Sequence, residues 1–320
     1  MTDKQEKNIF PTECADLEKV QRYAIKKRFS KVDTTAFARI PVKGQSFQSF
    51  FDGLPNILNT KKFSEFIQKM ALARENGKPI IWSMGGHVIK VGLGPVLRNL
   101  IDHGWVDVVV MNSAASIHDS EIARFGETSE DVAEAIRDGS FGMAKETSVD
   151  YLNALNNGVS DGYGWGESLA RWIFEQKFET SEYSVLAKCW ESKVPITVHG
   201  ALGTDIIWQH PECDGQSVGI AGERDFKKLI HILKSLEGGV FLNWGSAVIL
   251  PEVFLKAFTC ARNLGADLKV FSTANFDQIQ HYRPRVNILD RPTSEGGSKF
   301  SFTGHHEFLM PMLAQCLVDL

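Results

Sequence analysis

The chain has 320 residues, of which 43% are hydrophobic and 23% charged, a balance that excludes a disordered protein or a disulfide-stapled miniprotein. A net charge of −4 argues against a surface that coats nucleic acid, and no apolar stretch approaches the ~20 residues that a membrane span needs. The opening MTDKQEKNIF has no apolar signal core, so secretion is not expected. The five cysteines (Cys14, Cys189, Cys213, Cys260 and Cys316) are far apart and without a CxxC pair, and read as reduced thiols in a cytoplasmic protein.

Residues 1–45 are lysine-rich and weakly periodic. Within them 17–28 suit one exposed helix, and the segment reads as a peripheral arm on a single domain covering 46–320. From Phe63 the spacing of Phe66, Ile67, Met70 and Ala71 predicts a helix, which Gly77 and Pro79 end. IIWSM (80–84) predicts a short buried strand. Val96, Leu97, Leu100 and Ile101 mark a helix that Gly104 closes. VDVVVM (106–111) is a continuous apolar run of strand length, as expected for a strand covered on both faces. A helical middle follows over 129–138, 147–156, 166–178 and 180–192.

VPITVH (194–199) predicts another buried strand and SVGIAG (217–222) a weaker one. Phe226, Leu229, Ile230 and Leu233 mark a helix, with GVFLN (239–243) as the next strand. A helix over 251–264 carries Pro251 in its first turn and stops at Gly265. LKVFST (268–273) and KFSFT (299–303) complete the strands, and a final helix spans 306–319. Strands that alternate with helices, with no repeat or linker, predict an α/β doubly wound, mostly parallel, Rossmann-like sheet.

In such a sheet the loops leaving the carboxyl ends of the strands share one edge, where ligands bind. Small or hydrogen-bonding residues follow six of the predicted strands. They are Gly85, Gly86 and His87; Asn112 and Ser113, then His118 and Asp119; His199 and Gly200, with Asp205; Asn243, Trp244, Gly245 and Ser246; Thr273, Ala274, Asn275 and Asp277; and Gly304, His305, His306 and Glu307. Five of the nine histidines therefore gather at one edge, and the expectation is a single crevice lined with imidazoles. Loop position alone enriches polar residues, and His305–His306 can equally begin the last helix. A divalent metal held by His87, His199, His305 and Asp205 in a hydrolase is a second reading, although no HxH, HExxH or HxxxH spacing is present.

The order of these segments from about residue 45 to 318 resembles the deoxyhypusine synthase family. The resemblance rests on GLGPVLRNLIDHGWVDVVVMNSAA (92–115), VPITVHGALGTDIIW (194–208), GGVFLNWGSAVI (238–249), GADLKVFSTANFD (265–277) and KFSFTGHHEFLMPML (299–313). It implies an NAD-binding fold, a homotetramer, and oxidation of a polyamine with transfer of an aminoalkyl group through an imine on a lysine. Thr273 and Ala274 coincide with the family's cofactor-side turn, Asp205 with an aspartate facing the polyamine, and Gly245 with the last of three glycines. Asp277 falls near an acidic loop and Asn112 and Ser113 near a T-A-G-G turn. His87, Asn243, His199 and His305 occupy family positions with other residues.

The family's W-G-K lysine is missing, since 281–297 contains no lysine and the only one beyond Lys269 is Lys299. The resemblance therefore implies NAD-dependent oxidation or transfer of an amine-bearing small molecule by another route. The expected cofactor residues are Gly85, Gly86, His87, Asn112, Ser113, Asn243, Gly245, Thr273, Ala274 and Asp277. His199 or His305 serves as general base next to His306, and Asp205 orients the amine. The competing readings are the metal-assisted hydrolase and a non-catalytic relative kept for assembly or regulation.

Overall fold

A computed structural model describes residues 14–320. The reading of a missing signal core concerns residues 1–10, which lie outside them. Over 14–45 the chain makes three short 3₁₀ turns, Leu17–Lys19, Ile25–Lys27 and Thr34–Ala36, and buries no side chain. The helix expected over 17–28 is thus replaced by two separate turns, because no apolar face of the segment meets the body of the protein.

Six strands form the sheet: β1 (Ile80–Met84), β2 (Val108–Asn112), β3 (Ile196–His199), β4 (Val240–Trp244), β5 (Ser272–Asp277) and β6 (Ser298–Thr303). All neighbours pair in parallel in the order β3-β2-β1-β4-β5-β6, the doubly wound Rossmann-like arrangement with its switch point between β1 and β4. The helices before β2 are α1 (Phe47–Phe51), α2 (Leu58–Glu75), α3 (Gly86–Lys90) and α4 (Gly94–Asp102). Between β2 and β3 lie α5 (Ser113–Phe125), α6 (Val132–Ala135), α7 (Lys145–Ser160), α8 (Trp165–Gln176) and α9 (Val185–Glu191). Then come α10 (Gly215–Leu233), α11 (Ile249–Asn263) and, after β6, α12 (His306–Val318).

Successive strand residues point to opposite faces, and both faces are covered. Trp82, Val109, Leu242 and Phe276 pack on one side, and Ile81, Val110 and Phe241 on the other against Leu233, Phe254 and Phe258. This double burial makes the strands read as unbroken apolar runs rather than alternating ones. On the first side Trp82, Trp244 and Phe276 form a parallel stack. The two indoles are 5.7 Å apart at an interplanar angle of 2°, and Trp244 and Phe276 are 3.9 Å apart.

Two further sequence readings need correction. SVGIAG (217–222) is helical, because the Asp214 carboxylate caps the Gln216 and Ser217 amides and Val218, Ala221, Asp225 and Leu229 follow at helical spacing on the buried face. Thr273 and Ala274 lie inside β5 and not in a turn. They pair with Phe241 and Leu242 of β4, and neither is exposed.

Candidate functional site

The chain diverges at the switch point. After β1 it enters α3 on one face of the sheet, and after β4 it passes Gly245 and enters α11 on the other. The two turns touch through bare backbone: the Gly85 amide donates to the Trp244 carbonyl at 2.9 Å, and a Cβ on Gly85 would lie 2.8 Å from the Gly245 oxygen. Gly245 has φ +65°, and a Cβ there would meet His306 Nε2 at 2.5 Å. His306 begins α12, almost fully buried, with its ring 5.6 Å from His87 and 5.8 Å from Trp244. Its Nδ1 is buried without a hydrogen-bond partner among the described residues. Burial lowers the His306 pKa below the usual histidine value, against the raising effect of Asp277. Gln278 approaches His87 at 3.3 Å.

Several expected cofactor residues are spent on structure. Asn243 is buried and donates to Asn275 Oδ1 at 2.7 Å and to the Ser246 carbonyl at 3.0 Å. Asn112 caps α5 by accepting from the Ala115 amide at 2.9 Å, and Ser113, Gly85 and Gly86 are buried. Asp277 accepts from the Gln278 amide and is 9% exposed. His87 is exposed and Gly245 half-buried where the turns after β1 and β4 meet.

The expected single crevice of imidazoles is not what the sheet order produces. β3 and β6 are opposite edge strands, so five spacings of about 4.8 Å, roughly 24 Å, separate the ends that carry His199 and His305. His199 is buried against Thr197, with Nε2 3.0 Å from the hydroxyl, and burial alone pushes its pKa down to about 3. His305 is exposed, 3.6 Å from Glu307. Among the described residues no three His, Cys, Asp or Glu side chains come together as a metal-binding group, and the proposed set of His87, His199, His305 and Asp205 is dispersed. Lys299 stands at the amino end of β6, away from this edge, paired with Asp290 at 2.7 Å.

A cavity of about 340 Å³ lies beside the β2 and β3 ends, over α5. Its polar wall is made of Lys90, His118, Glu121, Glu130, Thr204 and Asp205, and Ile117, Val132, Phe141 and Ile206 supply apolar surface. Gly86 links it to the switch point, since a Cβ there would lie 2.9 Å from His118 Cδ2 and 3.3 Å from Ala114. Asp205 is folded back onto its own loop by the Ala201 amide at 3.2 Å, and the absent side chain of Gly200 leaves room for it beside Trp165. The outer wall is the 126–144 segment, which includes α6 and is anchored where the Gly142 amide donates to Glu130 at 2.8 Å and the Gly142 carbonyl meets His210 Nε2 at 2.7 Å. A second depression, lined by Glu121, Glu127, Glu130 and Glu146, shares Glu121, Ser129, Glu130 and Ala144 with the first.

Burial raises the Glu121 carboxyl, but the His118 ring 3.7 Å away and hydrogen bonds from Thr128 and Thr147 outweigh it and hold the pKa below its ordinary value. The cavity therefore presents three carboxylates against one lysine, a setting for a cation. Of the residues expected to act on substrate, only Asp205 lines it. The sequence reading does not single out Glu121 or Glu130 as site residues and offers His118 only as a strand-end residue. The legible signal was the His118–Glu121 spacing of three on α5, which places both on one helix face. Nothing in the sequence marks Glu130, which reaches the site on a loop.

No family model matches the chain, and no curated protein matches it. Solved structures do. The NAD+ and ornithine complex of AgrE is 14% identical with a TM-score of 0.54, over 81% of this chain and 33% of that one. A candidate deoxyhypusine synthase from Entamoeba histolytica is 12% identical with a TM-score of 0.53, over 87% of this chain and 95% of that one. ArgZ, an arginine dihydrolase from the ornithine-ammonia cycle in Cyanobacteria, is 16% identical with a TM-score of 0.50, over 82% and 33%. The chain thus spans about a third of the AgrE and ArgZ chains. At these identities the likeness establishes a shared α/β fold.

Proposed function

We propose that the protein is an NAD-dependent enzyme that oxidises or transfers the amino group-bearing part of a small cationic amine, in the manner of a divergent deoxyhypusine synthase-like enzyme without the lysine-imine route. The observation that carries this reading is the half-open cavity whose wall combines Glu121, Glu130 and Asp205 with a single lysine next to the switch point. A polyamine or diamine brought out of water needs carboxylates around it, and here they come from α5 and two loops. Asp205 and Glu130 would hold ammonium groups, with Glu121 fixed as an anion behind them. AgrE and the Entamoeba protein support the reading by sharing the fold, one in a complex with NAD+ and the other as a candidate deoxyhypusine synthase.

The residues at the switch point fit a dinucleotide on one count: the buried His306 Nδ1 has no partner among the described residues, while the spaces beside Gly85 and Gly245 are already taken by the Gly245 oxygen and His306 Nε2. His87, Gly245, Asp277 and His306 would hold the cofactor there, and bound NAD supplies the acceptor for a hydride. The same reading carries a cytoplasmic homo-oligomer, a tetramer by resemblance, which the mass in solution tests.

The experiment is calorimetric titration of the full chain with NAD, spermidine and 1,4-diaminobutane, together with NADH formation when both are present. The expected outcome is saturable binding of both classes, with amine affinity falling about tenfold, or about 1.4 kcal/mol, in Asp205→Asn and again in Glu130→Gln. Folded protein that binds neither NAD nor any amine, or carboxylate variants that bind amines as the parent does, overturns the proposal.

A further inference from the structure

The cavity wall contains a hydrogen-bond chain whose proton count can be worked out. Thr128 Oγ1 donates to Glu121 Oε2, Thr147 Oγ1 donates to Glu121 Oε1 at 2.8 Å, and His118 Nδ1 lies 2.7 Å from Thr128 Oγ1 and 3.7 Å from Glu121 Oε2. An ionised carboxylate only accepts, and a threonine hydroxyl has one proton to give. Thr128 gives that proton to Glu121, so toward His118 its oxygen acts only as an acceptor. The Nδ1 of His118 must then carry the ring proton, and in the neutral ring the lone pair is on Nε2. Nε2 has no hydrogen-bond partner among the described residues, and the ring is part of the cavity wall that also carries Lys90, Glu130 and Asp205.

We infer that His118 is the proton acceptor of the amine site, held in its Nε2-basic tautomer by a Thr128–Glu121 relay. This rests on the amine reading above. An amine enters the cavity as an ammonium ion, which has no lone pair to assist loss of a hydride from the adjacent carbon. Transfer of one N–H proton to His118 Nε2 leaves the neutral amine and an imidazolium. The Nδ1–H of that imidazolium remains hydrogen-bonded to Thr128, whose hydroxyl points its dipole at the Glu121 anion, so the new positive charge is stabilised where it forms. Thr128 and Glu121 are positioning residues, and His118 is the catalytic one. The five-residue α3 and the side-chain-free Gly86 let the ring approach the turn that follows β1.

The test reads the tautomer directly. In protein labelled with ¹⁵N-histidine, long-range ¹H–¹⁵N correlation distinguishes a protonated from an unprotonated ring nitrogen without cofactor or substrate. The expected result is His118 with Nδ1 protonated and Nε2 bare, a preference lost in Thr128→Val and restored in Thr128→Ser. With amine and NAD present, His118→Gln should bind the amine within about threefold of the parent and lose turnover by about 100-fold or more. A parent protein with Nε2 protonated, or a Thr128→Val variant with an unchanged tautomer, overturns the relay. A His118→Gln enzyme that turns over normally overturns the catalytic role. An intact relay in a protein that binds no amine refutes the amine reading and leaves the relay standing.

Discussion

Asp225 and His199 should control stability in opposite directions across the neutral range, and replacing Asp225 should expose it. Asp225 is buried on α10, where Oδ2 accepts from the Val198 amide at 2.7 Å and the Gly166 amide at 2.8 Å, while Oδ1 has no partner among the described residues. Burial pushes its pKa from 3.8 to about 7 against those two amides and the Lys228 ammonium, with Glu167 adding to the rise. A raised carboxyl contributes stability below its unfolded pKa and loses it as pH rises to the folded one. About three pKa units at about 1.4 kcal/mol each give a loss on the order of 4 kcal/mol between pH 4 and 7. His199, next in chain to Val198, has its pKa lowered from 6.5 to about 3, so it loses a similar amount as pH falls from 6.5 toward 3. In the parent the two trends largely cancel between pH 4 and 6.5.

Asp225→Asn keeps an oxygen for both amides and removes the charge. It should stabilise the protein by about 2–4 kcal/mol at pH 8 and by little at pH 4, and its acid side should then fall steeply with the His199 slope alone. Urea unfolding from pH 4 to 8.5 measures both. A difference between variant and parent that stays constant with pH, or that favours the parent more as pH rises, refutes the account.

Other perturbations have equally definite outcomes. Asp119 is fully buried and accepts from Ser184 Oγ at 2.5 Å and from the Val185 and Leu186 amides at the start of α9, so Asp119→Ala should cost about 2–4 kcal/mol in denaturant unfolding, with Asp119→Asn recovering part. Trp244→Ala removes the middle of the aromatic stack and should cost about 3–5 kcal/mol by the same assay. Gly86→Ala drives a Cβ to within 2.9 Å of His118 Cδ2 and should weaken amine binding several-fold in calorimetry, with a smaller loss of stability. His199→Leu should leave amine and NAD binding within about twofold while flattening the acid limb of the stability profile, since that ring touches neither site.

The layout of the sheet was readable because strands buried on both faces are compact apolar runs: IIWSM matches β1 residue for residue, and VDVVVM contains most of β2. β5 was displaced because its sequence, STANFD, looks like a loop. Its polar members are buried in pairs, Asn275 with Asn243 and Gln280, and a one-dimensional reading does not show a partner 32 residues away. Polar residues follow the carboxyl ends of the strands in the sequence, but strand order decides which of them meet. Histidines on β3 and after β6 look equivalent along the chain and end on opposite borders of the sheet. Glu130 was hidden for another reason: its place in the cavity depends on Gly142, whose φ of +75° and contact with Ile206 fold the loop inward.

In the Trp82–Trp244–Phe276 stack, His306 rests against the edge of the central Trp244 ring. Indole emission responds to the field and to proton donors at its border, so Trp244 doubles as a built-in optical gauge. Anything that binds beside the β1 and β4 turns, or adds a proton to His306, should alter the fluorescence of this ring, read as the difference in emission between the parent and Trp244→Phe because the other tryptophans also emit.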